Sequence, residues 1–169
     1  MRSRRWLHHA RAVALAACAA ALLPAVAAAQ QSIMIEGVRP ELHLGIGWHG
    51  DLGVGARADI PIVPSGFIAG TDDEFALSPG GDVYLDTGGD GDVFVAALLA
   101  AQWNFYLSPE WSVFPELGLA LLFGDHGRDD NDLRLRLLVA GGGRYHWSRR
   151  NSLVLRLSWP FGLQVGITF

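Results

Sequence analysis

Apolar side chains fall on every second position along most of this chain, with Gly or polar residues between them. The C-terminal stretch is the clearest case: Leu163, Val165, Ile167 and Phe169 share one face, and Gln164, Gly166 and Thr168 share the other. Period two is the mark of a strand with one oily face. The same alternation predicts strands over about 41–48, 52–62, 75–85, 93–107, 111–123, 133–147, 153–159 and 163–169. In the first, Leu42, Leu44, Ile46 and Trp48 oppose Glu41, His43, Gly45 and Gly47. In the second, Val54, Ala56, Ala58, Ile60 and Ile62 oppose Gly53, Gly55, Arg57 and Asp59. In the fifth, Val113, Leu117, Leu119 and Leu121 oppose Ser112, Glu116, Gly118 and Ala120, and in the sixth Leu133, Leu135, Leu137, Tyr145 and Trp147 oppose Arg134, Arg136, Arg144 and His146.

The last two strands need an explicit join, because the odd-position pattern runs unbroken from Leu153 to Phe169. A two-residue turn would invert the face. A three-residue loop, Pro160-Phe161-Gly162, keeps Trp159 and Leu163 as partners and uses Gly162 in the left-handed conformation. A single kinked strand over 153–169 would far exceed the ~9–11 residues that span a bilayer. Eight strands result, with ten as the alternative.

Half of all residues are hydrophobic, yet no run after the N-terminal segment approaches the ~20 apolar residues of a membrane helix. Strands oily on one face can meet lipid only if every backbone group is paired, which requires a closed barrel. The expected fold is therefore all-β: an antiparallel up-and-down transmembrane β-barrel. Its expected place is the outer membrane of a Gram-negative bacterium, with outer-membrane lipid and lipopolysaccharide as its surroundings. A soluble periplasmic β-sandwich is the competing architecture.

The N-terminus carries Arg2, Arg4, Arg5 and Arg11 without an acid, then an Ala-rich run ending in Ala27-Ala28-Ala29 before Gln30. This is the form of a cleaved secretory signal over 1–29, leaving 30–169 as one barrel domain. Leu15-Ala16-Ala17-Cys18 has the form of a lipoprotein box, but the apolar stretch before it is short, and lipidation of Cys18 stays open. Without residues 1–29, nine of the 13 basic residues face 17 acids, and the net charge moves from −4 to −8. Nucleic acid is an unsuitable partner for such a surface. The single cysteine leaves with the signal, so no disulfide is expected.

Eight strands make a barrel narrow enough for side chains to fill it. Glu41, Asp59, Asp82 and Glu116 and the bases Arg57, Arg134, Arg136, Arg144 and Arg156 fall on the polar faces. Nearly balanced, they point to a sealed salt-bridge core, with an ion-lined path for a small solute as the alternative. Trp103, Phe105, Trp111, Tyr145 and Trp147 lie beside the tight turns at 108–110 and 148–151, as an interfacial girdle would. Trp48, Phe123 and Trp159 would mark the other rim. The end with short turns and the C-terminus is expected to face the periplasm, although the link over 64–73 is long for that side.

Two constellations could carry chemistry. His146-Trp147-Ser148 offers a base and a nucleophile two residues apart, but His146 shares the face of the interior arginines and no acid follows Asp132 to orient it. Asp86, Asp90 and Asp92, and further on Asp125, Asp129, Asp130 and Asp132, are clusters that could bind divalent ions; neither has the twelve-residue EF-hand spacing, and Gly-rich solvated links explain both. No catalytic, cofactor or metal residue is assigned.

The stretch Gln102-Trp-Asn-Phe-Tyr-Leu-Ser-Pro-Glu-Trp-Ser-Val-Phe-Pro-Glu116, with the terminal strand ending on Phe169, resembles the superfamily of small outer-membrane β-barrels that includes OmpA- and OmpX-like proteins. The resemblance covers most of residues 38–169. It implies that Leu163, Val165, Ile167 and Phe169 form a signal read by the barrel-assembly machinery. Members include structural and adhesion proteins, channels and lipid-modifying enzymes, so membership does not fix function. The expected role is non-catalytic, in envelope structure or surface interaction. A channel or binder for a small apolar solute comes next, and a lipid-modifying enzyme after it.

Overall fold

The computed structural model describes residues 37–63, 66–87, 93–124 and 133–169. The signal over 1–29, Cys18, and the acids Asp90, Asp92, Asp125, Asp129, Asp130 and Asp132 lie outside the described residues. Eight strands form: β1 Arg39–Ile46, β2 Leu52–Val63, β3 Asp73–Leu85, β4 Val93–Tyr106, β5 Trp111–Gly124, β6 Arg134–His146, β7 Ser152–Trp159 and β8 Gly162–Thr168. Each neighbour pair is antiparallel, and the sheet closes on itself in chain order. Closure is made by β1 and β8, paired from Glu41↔Thr168 to Ile46↔Leu163. The architecture is the eight-stranded up-and-down transmembrane β-barrel that the alternation predicts, and the strand ends fall within two residues of their expected places.

The hairpins follow from local chemistry. At the end of the barrel that carries the C-terminus, here the turn end, Ser108 and Ser148 occupy matching positions. The Ser108 hydroxyl accepts from the backbone N–H of Glu110 and Trp111, and that of Ser148 from Arg150 and Asn151. Each serine thus closes its turn by the local bond such residues favour. At the opposite end, the link end, Gly50 has φ +94° in the β1–β2 join, a conformation that costs Gly no steric strain.

The β7–β8 join differs from expectation by one residue. Ser158 pairs with Gly162 and Leu157 with Leu163, so the loop is Trp159-Pro160-Phe161 and Trp159 does not face Leu163. An odd loop still preserves the outward parity of both strands, and Gly162 takes φ +81° as foreseen. Phe161 lies within this loop and is buried.

The wall is inside-out relative to a soluble protein. Leu44, Leu117, Leu119, Leu137, Leu155 and Val165 project outward and stand exposed, while Arg144, Arg156 and Glu41 are buried within the lumen. A continuous apolar outer surface of this size has no counterpart on water-soluble monomers. Aromatic rings gather at both rims: Trp111 packs on Tyr145 and Trp103 on Phe105 at the turn end, and Trp48 on Trp159 at the link end. Such girdles mark the two membrane interfaces of a barrel.

Leu119 lies in the middle of β5, paired with Leu99 and Leu137 and 51 % exposed. Leu119→Arg is therefore expected to lower the unfolding free energy in phospholipid vesicles by about 2–4 kcal/mol, the cost of a charge near the bilayer midplane. Leu153→Arg, on the same outer surface beside the 147–151 turn, should cost only about 0–1 kcal/mol. Denaturant titration of both folded variants measures this; equal costs would contradict the assignment of the wall to lipid. Gly118, the inward neighbour, is intolerant for another reason, since an added Cβ would press on the backbone of Leu99 and Ala100.

Candidate functional site: the barrel interior

Closure of a narrow barrel brings inward side chains from all eight strands together, and here they separate into two layers. Toward the turn end the lumen holds a connected polar network. Toward the link end it holds an apolar and aromatic plug.

The network is built on four arginines. Arg156, from β7, grips Glu41 of β1 with both terminal nitrogens, at 2.6 and 3.1 Å, and its Nε donates to Glu116 of β5 at 3.1 Å. Arg57, from β2, donates to the other Glu116 oxygen at 3.1 Å and to Gln164 of β8 at 3.1 Å. Arg144, from β6, pairs with Asp59 and donates to Asn104 at 3.0 Å and Gln102 at 3.1 Å. Gln102 in turn donates to Glu116 at 2.8 Å, which joins the Arg144 cluster to the Arg57 and Arg156 cluster. Arg39 pairs with Glu74 nearer the turn end, and Asn104 donates to the same carboxylate at 3.1 Å. The planar guanidinium allows this bridging of two or three acceptors, which a lysine ammonium would do with less geometric control. Phe114 lies beneath two of these cations, 4.7 Å from the Arg144 guanidinium and 5.4 Å from that of Arg156. The face of the ring adds favourable electrostatics in a site without bulk water.

On the Gln164 side, His43 sits between two carboxylates, with Nε2 2.6 Å from Asp82 and Nδ1 3.4 Å from Glu41. Gln164 donates at 3.2 Å to Tyr84, whose hydroxyl donates to the Phe161 carbonyl at 3.2 Å. This chain of bonds is the boundary between the layers. Beyond it, the Tyr84 ring stacks between Phe94 and Phe161, centroids at 5.0 and 5.7 Å, above Leu98, Leu122 and Leu138. Gly45 and Gly53 make the room: a Cβ at Gly45 would stand 2.6 Å from the Tyr84 hydroxyl, and one at Gly53 would collide with the ring.

Of the charged residues picked from sequence, Glu41, Arg57, Asp59, Asp82, Glu116, Arg144 and Arg156 meet in this network. Arg134 and Arg136 do not. Val139 faces Trp159, the last residue of β7, so β6 residues 134–138 run on past the end of their neighbour, and Arg136 is exposed on that overhang. The barrel extends less far on that side than the alternation of β6 suggests. Arg39, Glu74 and Asp73 fell outside the expected strand bounds; polar residues at strand ends read as turn. Gln102, Asn104 and Gln164 sit on inward positions but carry no charge to single them out. Tyr84 shares the face of Asp82, and that parity with the facing glycines was the available signal for the plug.

The His-x-Ser motif does not assemble. His146 Nε2 lies 2.9 Å from the Ser112 hydroxyl within the lumen, and Ser148 caps its own turn instead. No group of three or more metal-ligating side chains occurs among the described residues. The last strand places Leu163, Val165, Ile167 and Phe169 on the outer wall, and the Phe169 backbone N–H donates to Pro40 at 3.1 Å.

No protein-family model matches the chain, and neither does any curated protein. Among solved structures, the chain is similar to a barrel from the de novo design of transmembrane β-barrels, at 12 % identity and TM-score 0.55, covering 83 % of this chain and 98 % of that one. It is also similar to Ail, the attachment invasion locus protein of Yersinia pestis. The crystal structure of Ail gives 7 % identity and TM-score 0.45 over 78 % of this chain and 91 % of Ail. The structure of the same protein in a phospholipid bilayer nanodisc gives 12 % identity and TM-score 0.47 over 79 % and 100 %. At these identities the likeness concerns the fold alone: this chain folds as a small transmembrane β-barrel.

Glu116 accepts from Arg57, Arg156 and Gln102, so Glu116→Ala leaves two buried cations short of a counter-charge and is expected to destabilise by about 3–5 kcal/mol. Adding Arg57→Met should recover part of that loss, because it removes one unmatched charge. Denaturant titration of wild type, both single variants and the double variant gives the coupling energy. An unchanged stability in Glu116→Ala would mean that water, not the arginines, solvates this carboxylate.

Proposed function

We propose that the protein is a non-catalytic barrel of the Gram-negative outer membrane, serving envelope structure or surface interaction. The observation that carries this reading is the filled lumen. From the turn end inward, bidentate ion pairs occupy the cross-section, and the Tyr84, Phe94 and Phe161 stack closes the rest. A solute path would have to break buried ion pairs, each costly to separate in a desolvated site. With the interior committed to its own stability, contacts with other molecules fall to the outer wall and the two ends.

The wall then meets outer-membrane lipid and, in the outward leaflet, lipopolysaccharide. The turn end faces the periplasm, in keeping with the usual placement of short turns and the C-terminus, and the link end faces outward. A leader over 1–29 delivers the chain, and the assembly machinery reads the final strand through Leu163, Val165, Ile167 and Phe169. The channel alternative survives only if the Tyr84 stack opens.

Three measurements test the proposal. Expressed in a Gram-negative host, the protein is expected in the outer-membrane fraction, with a gel mobility that changes on boiling, and its purified form should give no conductance in planar bilayers. Steady single-channel currents would overturn the sealed-lumen reading. Deleting Phe169 should reduce the folded, heat-modifiable form in cells several-fold while leaving refolding in detergent nearly unchanged. Equal assembly with and without Phe169 would remove its role as a recognition signal.

A further inference from the structure

Where β2 ends and β3 begins, an apolar recess of about 270 Å³ is lined by Val63, Phe67, Phe75 and Trp103. Val63 faces Phe75, and Phe75 faces Trp103, so three neighbouring strands supply its floor from outward positions. The register of β2 shifts between Pro61 and Val63, and such an irregularity bends a strand locally. Phe67, on the link between β2 and β3, forms the outer lip and is 67 % exposed.

The recess is a built feature, fixed by one buried carboxylate. Asp73 accepts the indole N–H of Trp103 at 2.8 Å with one oxygen and the backbone N–H of Ile68 at 3.1 Å with the other. Its backbone carbonyl accepts from Gly66 at 2.8 Å. One residue thus holds both the ring that forms a wall and the link that carries the lip. The unusual length of this link for the turn end has its explanation here, since a tight turn could not reach back over the wall.

We propose that this recess binds one acyl chain of a phospholipid in the periplasmic leaflet. Three observations select that occupant. Among the described residues the lining is wholly apolar, with no charged side chain to recognise a headgroup. The recess is continuous with the lipid-facing wall and lies at the girdle of the turn end, where Trp103 packs on Phe105 at 4.9 Å. Its volume falls just below the ~300–1,000 Å³ of sites that enclose compact drug-sized ligands, which suits a segment of a flexible chain. The inference rests on the membrane placement and orientation proposed above. Its consequence is a barrel with one preferred lipid on the β2–β4 side, indifferent to the headgroup.

The test uses two single-tryptophan forms of the full chain, one keeping Trp103 and the other keeping Trp111, with every other tryptophan changed to Phe. Both tryptophans sit at the turn end, and only Trp103 lines the recess. Each form is refolded, checked by its heat-dependent mobility, and placed in dioleoylphosphatidylcholine vesicles with a rising fraction of dibrominated phosphatidylcholine. Trp103 fluorescence should be half-quenched at a several-fold lower fraction of brominated lipid than Trp111, and Phe67→Ala should abolish the difference. Identical curves for both would overturn the site while leaving the membrane placement intact. Absence of quenching at Trp111 as well would overturn the placement itself. Native mass spectrometry of the otherwise unaltered chain gives a second reading: one phospholipid retained per barrel in wild type and loss of it in Phe67→Ala, with equal retention counting against the site.

Discussion

The pairing of β8 with β1 is the constraint on which the rest of the molecule depends. From Glu41↔Thr168 to Ile46↔Leu163, it removes the last open edge of the sheet, and in a hydrocarbon environment no unpaired edge is tolerable. Once the sheet closes, its inner faces surround a space too narrow for bulk water. Every inward side chain must then find its partner inside that space. The arginine network and the aromatic stack are two solutions to one packing problem imposed by closure.

The two layers solve it with different chemistry. In the polar layer, buried charge is tolerated because each carboxylate meets more than one donor, and because Gln102, Asn104 and Gln164 fill the acceptor and donor positions that charges alone leave open. In the apolar layer, small residues make room for large rings: Gly45 and Gly53 against Tyr84, with Ala96, Ala100 and Ala120 beside Leu98, Leu122 and Leu138. Tyr84 belongs to both layers, its ring in the plug and its hydroxyl bonded to Gln164 and Phe161. The filled lumen directs functional attention outward, to the wall and the ends.

The outline of the barrel is legible in sequence because period two survives wherever one face meets lipid. Leu119 and Leu137 could be assigned outward with no knowledge of their partners. The partners themselves are less legible, since register is a long-range property. Nothing local reveals that Arg57 reaches Glu116 from β2, or that β6 overruns β7 and carries Arg134 and Arg136 out of the network. Strand ends are obscured for a different reason: Arg39, Asp73 and Glu74 are polar residues flanked by turn-like composition, yet closure draws Arg39 and Glu74 into the interior, and Asp73 is buried on the outer side against Trp103 and the β2–β3 link. Phe161 falls in the loop in either register, and the one-residue change in pairing leaves it buried in the plug.

A dry interior and a lipid-facing wall make alternate positions of each strand differ in what can reach them. The sole cysteine is Cys18, within the segment read as a cleaved signal, so single cysteines can be introduced in residues 30–169 on a cysteine-free background. Labelling of the folded protein in vesicles would compare inward sites at Ala100, Ala120 and Ala140 with outward sites at Leu99, Leu119 and Val139. The outward cysteines are expected to react only with a membrane-soluble maleimide, and the inward ones with neither that reagent nor a charged, water-soluble thiol reagent. Reaction of the inward cysteines with the water-soluble reagent would show a hydrated lumen and contradict the account.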